Sequence, residues 1–422
     1  MSSSTSSSNK IAFYTMFIAA ITMLPAVGLV NWLTRSAESS AGDIFGIQRI
    51  RSVIESMDYM AEVDGNTALF VGSSLVKDGF SPRVFDDALE QASGTRVTSF
   101  NVGMGNMKPS YQKILVRRIA ETFALHQRKA ALTLIEFNPF LVTDARQQFR
   151  PFMTEQIQAV LMSPDEVVDT LWDDPERFAR LVSIKYLRNG VSAEAITGGV
   201  RFLVGQAQAQ APLMNQLTED QLKHIQQLSE FRSELNKYIY QEHPVTRKSH
   251  VWNPLTQGGL IDMMDLSPQA QTLAAKISGE MRHPKALEMD LAGRIQCCDI
   301  ENLSFNDKLV DEFIGTVKSA QRFSDRVEIV VMPRNRKWVQ PSPEGQQRLA
   351  QMLAHLQQAT GVTVRNYQEH EAFDESAFYD VTHLSMDAGR PLFSTILAQD
   401  VAEYFTQNNK QLSDMNGQRS LQ

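Results

Sequence analysis

Short apolar segments alternate with amphipathic segments in the first third of the chain, and this alternation limits the possible folds most strongly. The segments TALFVG, RVTSFNVGMGN and AALTLIEFNPF have the length and apolar content of strands, and each runs into glycine, asparagine or proline. Between them, SPRVFDDALEQAS and SYQKILVRRIAETFA repeat apolar residues at helical spacing. This order predicts a parallel sheet with helices on its faces, because continuous apolar runs suit strands covered on both sides.

The alternation stops near residue 150 and returns towards the C-terminus. Residues 150–322 show mostly helical periodicity, which predicts a large helical insertion. The strand-like segments RVEIVVMP and GVTVRNY follow it, with a helix-like segment between them. We therefore expect an α/β core in two parts, residues 63–149 and 323–407. The polar residues 408–422 are predicted to form a flexible tail.

The N-terminus contains an uncharged apolar segment, residues 11–33, after a polar and disordered leader at residues 1–10. At 1.5 Å per residue, a helix over this segment would cross a bilayer core of about 30 Å. We interpret it as an uncleaved membrane anchor, with a cleaved signal peptide as the alternative. Residues 34–62 are then predicted to form a juxtamembrane helix. The catalytic domain would lie on the periplasmic or extracellular side of the cytoplasmic membrane.

Charge and cysteine content exclude some classes of function. The formal net charge of -7 argues against a generally basic surface that would bind nucleic acid. The two cysteines, Cys297 and Cys298, cannot hold a metal ion by themselves. Because neighbouring cysteines bond each other only with strain, we expect them to be unpaired. No cofactor and no metal is expected.

Polar side chains follow three of the predicted strands. Ser74 follows the first strand, the glycine-rich turn 101–106 ends the second, and Asn138 follows the third. Active groups gather beyond the carboxyl ends of the strands in an open parallel sheet. Asp380 and His383 lie three residues apart, on a loop before the last predicted helix. Taken singly, each of these residues also fits a turn, a helix cap or a solvated surface.

Four short blocks, in this order, resemble the SGNH (GDSL-like) hydrolase family. The Gly-Asp-Ser-Leu block of the family corresponds to residues 72–75, which read GSSL. The asparagine- and glycine-containing turn corresponds to residues 101–106, NVGMGN, and the Gly-x-Asn-Asp block to residues 136–139, EFNP. The Asp-x-x-His block corresponds to residues 380–383, DVTH. The resemblance implies a flavodoxin-like, three-layer α/β core.

The chain departs from the family pattern at several positions in these blocks. Ser73 replaces the aspartate of the first block, and Glu136 and Pro139 replace the glycine and aspartate around the asparagine. The glycines of the turn are spaced one residue closer than usual. The backbone N–H that the turn would supply to an oxyanion therefore belongs either to Gly105 or to Asn106.

The resemblance implies a Ser-His-Asp triad. Ser74 would be the nucleophile, His383 its general base, and Asp380 the group that orients and stabilises the imidazole. The oxyanion of a tetrahedral intermediate would face the Ser74 backbone N–H, the turn N–H and the side-chain amide of Asn138. A G-x-S-x-G nucleophile elbow is absent from the sequence, which argues against an α/β-hydrolase.

A cluster of cations with one tryptophan follows the fourth predicted strand, at the same edge of the sheet. Arg334, Arg336 and Trp338 are the candidates in it for binding a sugar or an acidic polymer. The alternative is a solvated loop.

An anchor, an SGNH core and a helical insertion together resemble the anchored SGNH proteins of envelope acylation systems. These include the DltD-like proteins and the proteins of alginate and cellulose acetylation, which work beside a multi-pass membrane-bound O-acyltransferase. The resemblance implies an O-acyltransferase, most simply an acetyltransferase, acting on a polysaccharide acceptor. Two alternatives remain open: a polysaccharide acetylesterase with the same triad, and a non-catalytic scaffold for the membrane partner.

Overall fold

The computed structural model of the chain describes residues 47–105, 107–148, 154–187 and 262–419, with isolated positions from 28 to 32 and from 218 to 235. The predicted leader and almost all of the predicted anchor therefore lie outside the described residues. Within the described ranges, we find no helix with the length and apolar content needed to span a bilayer.

Five parallel strands form one sheet in the order β2-β1-β3-β4-β5. The strands are β1 (Asn66–Gly72), β2 (Val97–Gly103), β3 (Leu132–Glu136), β4 (Val327–Val331) and β5 (Thr363–Asn366). The predicted α/β class and parallel sheet are confirmed. This strand order is that of doubly wound sheets of the flavodoxin type, in which the order reverses between β1 and β3. A crevice at the carboxyl ends of those two strands is the expected position for a site.

Fourteen α-helices lie in the described residues. They are α1 (Ile47–Glu55), α2 (Met57–Glu62), α3 (Ser74–Gly79), α4 (Pro82–Ser93), α5 (Pro109–Leu125), α6 (Asp144–Gln148), α7 (Thr154–Leu161), α8 (Pro164–Asp173), α9 (Pro175–Val182), α10 (Pro268–Met281), α11 (Pro284–Cys298), α12 (Asp307–Ala320), α13 (Pro343–Thr360) and α14 (Gly389–Arg419). Many start with proline directly after a polar cap, which supplies an acceptor to the first turn, as at Ser81 and Ser342.

Helices cover both faces of the sheet. On one face α4 packs against α14, and the Phe70 ring of β1 lies 5.2 Å from that of Phe80 and 6.3 Å from that of Phe393. On the other face α5 packs against α12, and Phe137 after β3 contacts Phe313 of α12 at 5.1 Å. Strands β1 to β4 are therefore buried on both sides, which explains their continuous apolar sequences, whereas no residue of the edge strand β5 is fully buried.

The chain folds into two compact units. One comprises residues 1–48 and 152–201, and its described helices α7, α8 and α9 enclose a small apolar core around Val167 and Leu181. A capping box begins its α8, since Ser163 and Glu166 each accept a hydrogen bond from the backbone N–H of the other. The other unit comprises residues 49–151 and 202–422 and contains the sheet.

Four details differ from the sequence predictions. Helix α12 packs on α5 as a layer of the sheet, although the predicted insertion extended to residue 322. Helix α14 continues to Arg419, past the predicted end of the core at residue 407. The predicted juxtamembrane helix is divided at Ser56 into α1 and α2. Cys298 is disulfide-bonded, so the expectation that it is unpaired is wrong.

Candidate active site

The chain turns sharply at the end of β1, in the segment that carries Ser74. Residues 72–75 are called the nucleophile loop, because Ser74 is the predicted nucleophile. Gly72 pairs with Gly103 at the carboxyl edge of the sheet, and α3 begins two residues later at Ser74. A Cβ on Gly72 would lie only 2.8 Å from the Cβ of Glu136 and closer still to the Val76 side chain. Since no larger residue fits without displacing these neighbours, the glycine lets the chain bend here.

Ser74, His383 and Asp380 lie together, joined by hydrogen bonds. His383 Nε2 lies 2.9 Å from Ser74 Oγ, and His383 Nδ1 lies 2.7 Å from Asp380 Oδ2. The other oxygen of Asp380, Oδ1, accepts from the backbone N–H groups of Thr382 at 2.7 Å and His383 at 2.6 Å. The predicted three residues are thus brought together, with the carboxylate also fixing the backbone that carries the imidazole.

Burial and pairing set the charges of this group. Burial alone would lower the pKa of His383, but the charge of Asp380 and its hydrogen bond outweigh burial and raise that pKa above the ordinary value. Burial alone would raise the pKa of Asp380, but the charge of His383, their hydrogen bond and the charge of Arg294 hold that pKa well below its ordinary range. The carboxylate therefore stays ionised, and the imidazole can accept a proton from the serine hydroxyl.

A second buried carboxyl group, Glu136, lies directly below the nucleophile loop. Its side chain is fully buried at the last position of β3. Glu136 Oε1 accepts from Ser73 Oγ at 2.8 Å, and Oε2 accepts from the Ser73 backbone N–H. Burial raises the pKa of Glu136 to about 7, against the opposing effect of the hydrogen bonds from Ser73 and Asn138. Glu136 therefore fixes the residue that precedes the nucleophile.

Two donors for an oxyanion are identified among the described residues. The Ser74 N–H occupies the first position of α3, where a helix supplies no acceptor of its own. Asn138 Nδ2 donates to Ser73 Oγ at 3.3 Å, while Asn138 Oδ1 accepts from the Phe140 N–H. The amide is thereby held beside the nucleophile loop, in contact with both Ser73 and the carboxyl group of Glu136.

The glycine turn packs against α3. A Cβ on Gly103 would lie 2.8 Å from the Lys77 Cα and 2.9 Å from the Ser73 carbonyl oxygen. The Gly103 N–H donates to Asn101 Oδ1, and the Met104 N–H donates to the Gly72 carbonyl. Both N–H groups are therefore in use. Gly105 follows in the same turn and is exposed, and the predicted alternative, Asn106, lies outside the described residues.

The predicted substrate-binding cluster is divided between interior and surface. The Arg334 guanidinium is buried, donates to the Val339 carbonyl at 2.8 Å and pairs with Glu369. Trp338 Nε1 donates to Glu375 at 2.9 Å, and Arg336 is partly exposed. The alternative of a solvated loop therefore does not hold for Arg334, because its guanidinium is buried and paired, and the predicted substrate-binding role of the three residues stays a prediction.

Arg334 instead lines a small, mainly apolar cavity beside the candidate site. The cavity also contacts the residues next to the serine and the histidine, as well as the oxyanion candidate Asn138. Its walls include Leu75, Phe137, Asn138, Phe140, Met332, Arg334, Gln368 and Thr382. The buried Nε of Arg334 has no hydrogen-bond partner among the described residues.

Glu136 and Arg294 were not identified as site residues from the sequence. Glu136 could have been suspected, because a carboxyl group at the end of a buried strand needs partners. Among the described residues, no group of three or more His, Cys, Asp or Glu side chains is arranged to hold a metal ion.

The search against protein-family models gives no match to this chain, and the search of curated proteins gives no significant match. Geometry and sequence pattern are therefore the basis for a functional assignment.

Proposed function

We propose that this protein is a membrane-anchored, SGNH-type O-acyltransferase that modifies a cell-envelope or extracellular polysaccharide through a covalent acyl-serine. The observation that carries the proposal is the hydrogen-bonded series from Ser74 to His383 at 2.9 Å and from His383 to Asp380 at 2.7 Å. This arrangement has the donors and acceptors that nucleophilic acyl transfer requires. Acetyl is the acyl group that we propose.

In the first half-reaction, Ser74 Oγ attacks the carbonyl carbon of the donor's acyl group, and the serine proton passes to His383 Nε2. The tetrahedral intermediate then collapses, the bond to the donor's leaving group breaks, and the imidazolium returns its proton to that leaving group. Asp380 remains ionised throughout and stabilises the imidazolium. The products are the acyl-serine and the protonated leaving group.

In the second half-reaction, a hydroxyl of the glycan attacks the carbonyl carbon of the acyl-serine ester. The hydroxyl proton passes to His383 Nε2 as the new C–O bond forms. Collapse then breaks the bond to Ser74 Oγ, which takes the proton back from the imidazolium. In both halves, the Ser74 N–H and the Asn138 amide stabilise the oxyanion, and loss of one such donor typically costs about 2.7–4 kcal/mol of barrier. Gly105 and Asn106 are the further candidates.

Strand order and residue order support the SGNH assignment. The sheet has the order 2-1-3-4-5, with the serine after β1 and the asparagine after β3, at the point where the order reverses. The Asp-x-x-His loop precedes the last helix, α14. These positions agree with those that the resemblance implies for the family's blocks.

The apolar segment 11–33 supports the proposed anchor. An anchor would hold the domain beside a multi-pass membrane-bound O-acyltransferase partner and so raise the effective concentration of the acyl donor. The polysaccharide acceptor must compete with water for the acyl-serine, and a water-poor groove favours that outcome.

The test uses the full-length chain in detergent, an aryl acetate as donor, and oligosaccharides of candidate polysaccharides as acceptors. We expect an acetyl adduct on the peptide that contains Ser74, followed by acetylated oligosaccharide. Ser74→Ala should lower the rate by roughly 10³-fold or more. Ser319→Ala is the matched control, because it removes a serine hydroxyl that donates to the Gly315 carbonyl within its own helix, α12, and should leave the adduct on Ser74.

The possible outcomes separate the competing functions. Acetylated sugar supports transfer, whereas acetate released equally with and without sugar supports an esterase. A chain that forms no adduct, and whose Ser74→Ala variant sustains acylation in cells as well as the wild type, would be a scaffold.

A further inference from the structure

Helix α11 lies against the loop that carries Asp380 and His383. Asp290 Oδ2 accepts a hydrogen bond from the Val381 N–H at 3.3 Å, directly between Asp380 and Thr382. Just before α11, Arg282 Nε donates to the carbonyl of Phe378 at 2.8 Å. This helix comes from the segment that the sequence assigned to the insertion, so the insertion contributes directly to the support of the candidate site.

One residue of α11 reaches the carboxylate of the triad itself. Arg294 Nη2 lies 3.7 Å from Asp380 Oδ2, and Arg294 Nε donates to Asp290 Oδ1 at 3.2 Å. The same oxygen, Asp380 Oδ2, pairs with His383 Nδ1 at 2.7 Å. A guanidinium and an imidazole therefore share one carboxylate oxygen, with Asp290 holding the guanidinium in position.

We propose that Arg294 is a positioning residue of the triad, which keeps Asp380 ionised and opposes the protonation of His383. The inference rests on the proposed serine chemistry and extends it, because it assigns the inserted helix α11 a part in setting the reactivity of Ser74. An insertion with this role would couple the state of α11 to the reaction.

The charges around His383 act in opposite directions. Asp380 and Asp78 raise the pKa of His383, whereas Arg294 lowers it. Tyr379 stacks on the imidazole at 5.6 Å, and the charge of His383 in turn lowers the pKa of the buried Glu136. Around Arg294 itself, Asp290, Asp380 and Tyr379 are the charged or titratable groups.

Removal of the Arg294 charge leaves Asp380 and Asp78 to act on the imidazole without the opposing cation. The imidazolium is then stabilised, so His383 loses its proton only at higher pH. At neutral pH a larger fraction of the protein would hold His383 protonated, in a form that cannot accept the serine proton.

The test compares Arg294→Gln with two variants. Arg294→Lys retains the positive charge, and Arg282→Gln removes another cation that binds the same loop at the Phe378 carbonyl but does not contact Asp380. The full-length protein is labelled with ¹³C at histidine Cε1, the His383 signal is identified with His383→Gln, and its titration midpoint is measured by NMR. In parallel, the rate of Ser74 acetylation by an aryl acetate is measured against pH.

We expect Arg294→Gln to move the His383 midpoint and the acid limb of the rate profile to higher pH, with a rate at pH 7 lowered by roughly tenfold. Arg294→Lys should restore most of the wild-type His383 midpoint and most of the wild-type rate profile. Arg282→Gln should leave the His383 midpoint unchanged. A midpoint that is the same in Arg294→Gln and wild type overturns the inference, and so does an equal shift in Arg282→Gln. Should Arg294→Gln fail to fold, Arg294→Met replaces it, because it removes the same charge while keeping a long unbranched side chain, and a shift in the same direction is expected.

The NMR midpoint is independent of activity, so the two proposals can fail separately. A wild-type chain that never acetylates Ser74 contradicts the proposed function. The comparison of the His383 midpoint between wild type and Arg294→Gln still decides the role of Arg294, because that measurement needs no acetylation. Ser74 acetylation with an unshifted midpoint contradicts only the role of Arg294.

Discussion

Glu136 Oε1 accepts a hydrogen bond from Ser73 Oγ at 2.8 Å, and these are two of the positions at which the chain departs from the SGNH sequence pattern. The pattern has an aspartate where this chain has Ser73, and a glycine where it has Glu136. Because the two residues contact each other, the departures are related: the carboxyl group below the nucleophile loop comes from β3 and reaches Ser73 across the strand interface.

Glu136→Gln should make the stability of the protein less dependent on pH. Burial raises the pKa of Glu136 from 4.5 to about 7, so the folded protein holds this proton more tightly than the unfolded chain. Its contribution to stability is fully present below about pH 4.5 and is lost as pH rises to about 7, with a size on the order of 3 kcal/mol. Chemical unfolding of both proteins between pH 4.5 and 8 measures the difference. If the free energies of unfolding of wild type and Glu136→Gln change with pH in parallel, Glu136 does not titrate with a raised pKa, since glutamine does not titrate at all.

Asp380→Asn should lower the acylation rate by roughly 10³–10⁴-fold and move the acid limb of the rate profile to lower pH. The carboxylate raises the pKa of His383, so an amide in its place lets the imidazole lose its proton more easily. The shift is opposite to the one expected for Arg294→Gln. Stopped-flow measurement of acyl-serine formation across pH 5–9 would give the acid and alkaline limbs of the rate profile. An acid limb that stays where it is in the wild type would contradict the assigned pairing.

Asn138→Asp should lower the rate of acyl-serine formation by roughly 10²–10³-fold with little change in KM. The substitution removes the amide donor but keeps an oxygen that can accept from the Phe140 N–H, so the local turn should survive. Thermal unfolding serves as the control for that turn. If catalysis is unaffected in a folded Asn138→Asp protein, the amide does not face the oxyanion.

Gly72→Ala should destabilise the fold by roughly 1–3 kcal/mol and displace the nucleophile loop. The added methyl would lie 2.8 Å from the Glu136 Cβ and even closer to Val76. Gly279→Ala is the matched control, because nothing lies within 4 Å of its added methyl in α10. In a helix interior, alanine is favoured over glycine by about 1 kcal/mol. Equal melting temperatures for the two variants would contradict the packing described at Gly72.

The sheet could be predicted because four of its five strands, β1 to β4, are buried on both faces, which produces short apolar runs bounded by turn residues. The same patterns located Ser74 and Asn138 at the ends of strands, and Asp380 and His383 three residues apart on one loop, whereas their roles in a triad came from the family resemblance. Local sequence information sufficed for each of these positions, since every one follows from a strand end or a short loop.

Contacts between distant segments could not be predicted in this way. Nothing in the periodicity of α11 distinguishes Arg294 from any other helical arginine, because its partner Asp380 lies in another part of the chain. Arg334 follows a strand and resembles a surface cation, yet Glu369 and the Val339 carbonyl hold it in the interior. The boundary at residue 322 was wrong for a similar reason, since the packing of α12 on α5 depends on tertiary structure.

The hydroxyl of Ser74 and the imidazole of His383 are separated by 309 positions in the chain. During synthesis, the serine is made long before its base, so a nascent or prematurely terminated polypeptide has the hydroxyl without the group that activates it. Under the proposed mechanism, the serine would become reactive only after His383 has been translated and its loop has folded against Ser74. This order of assembly would delay the consumption of acyl donors until both segments are in place.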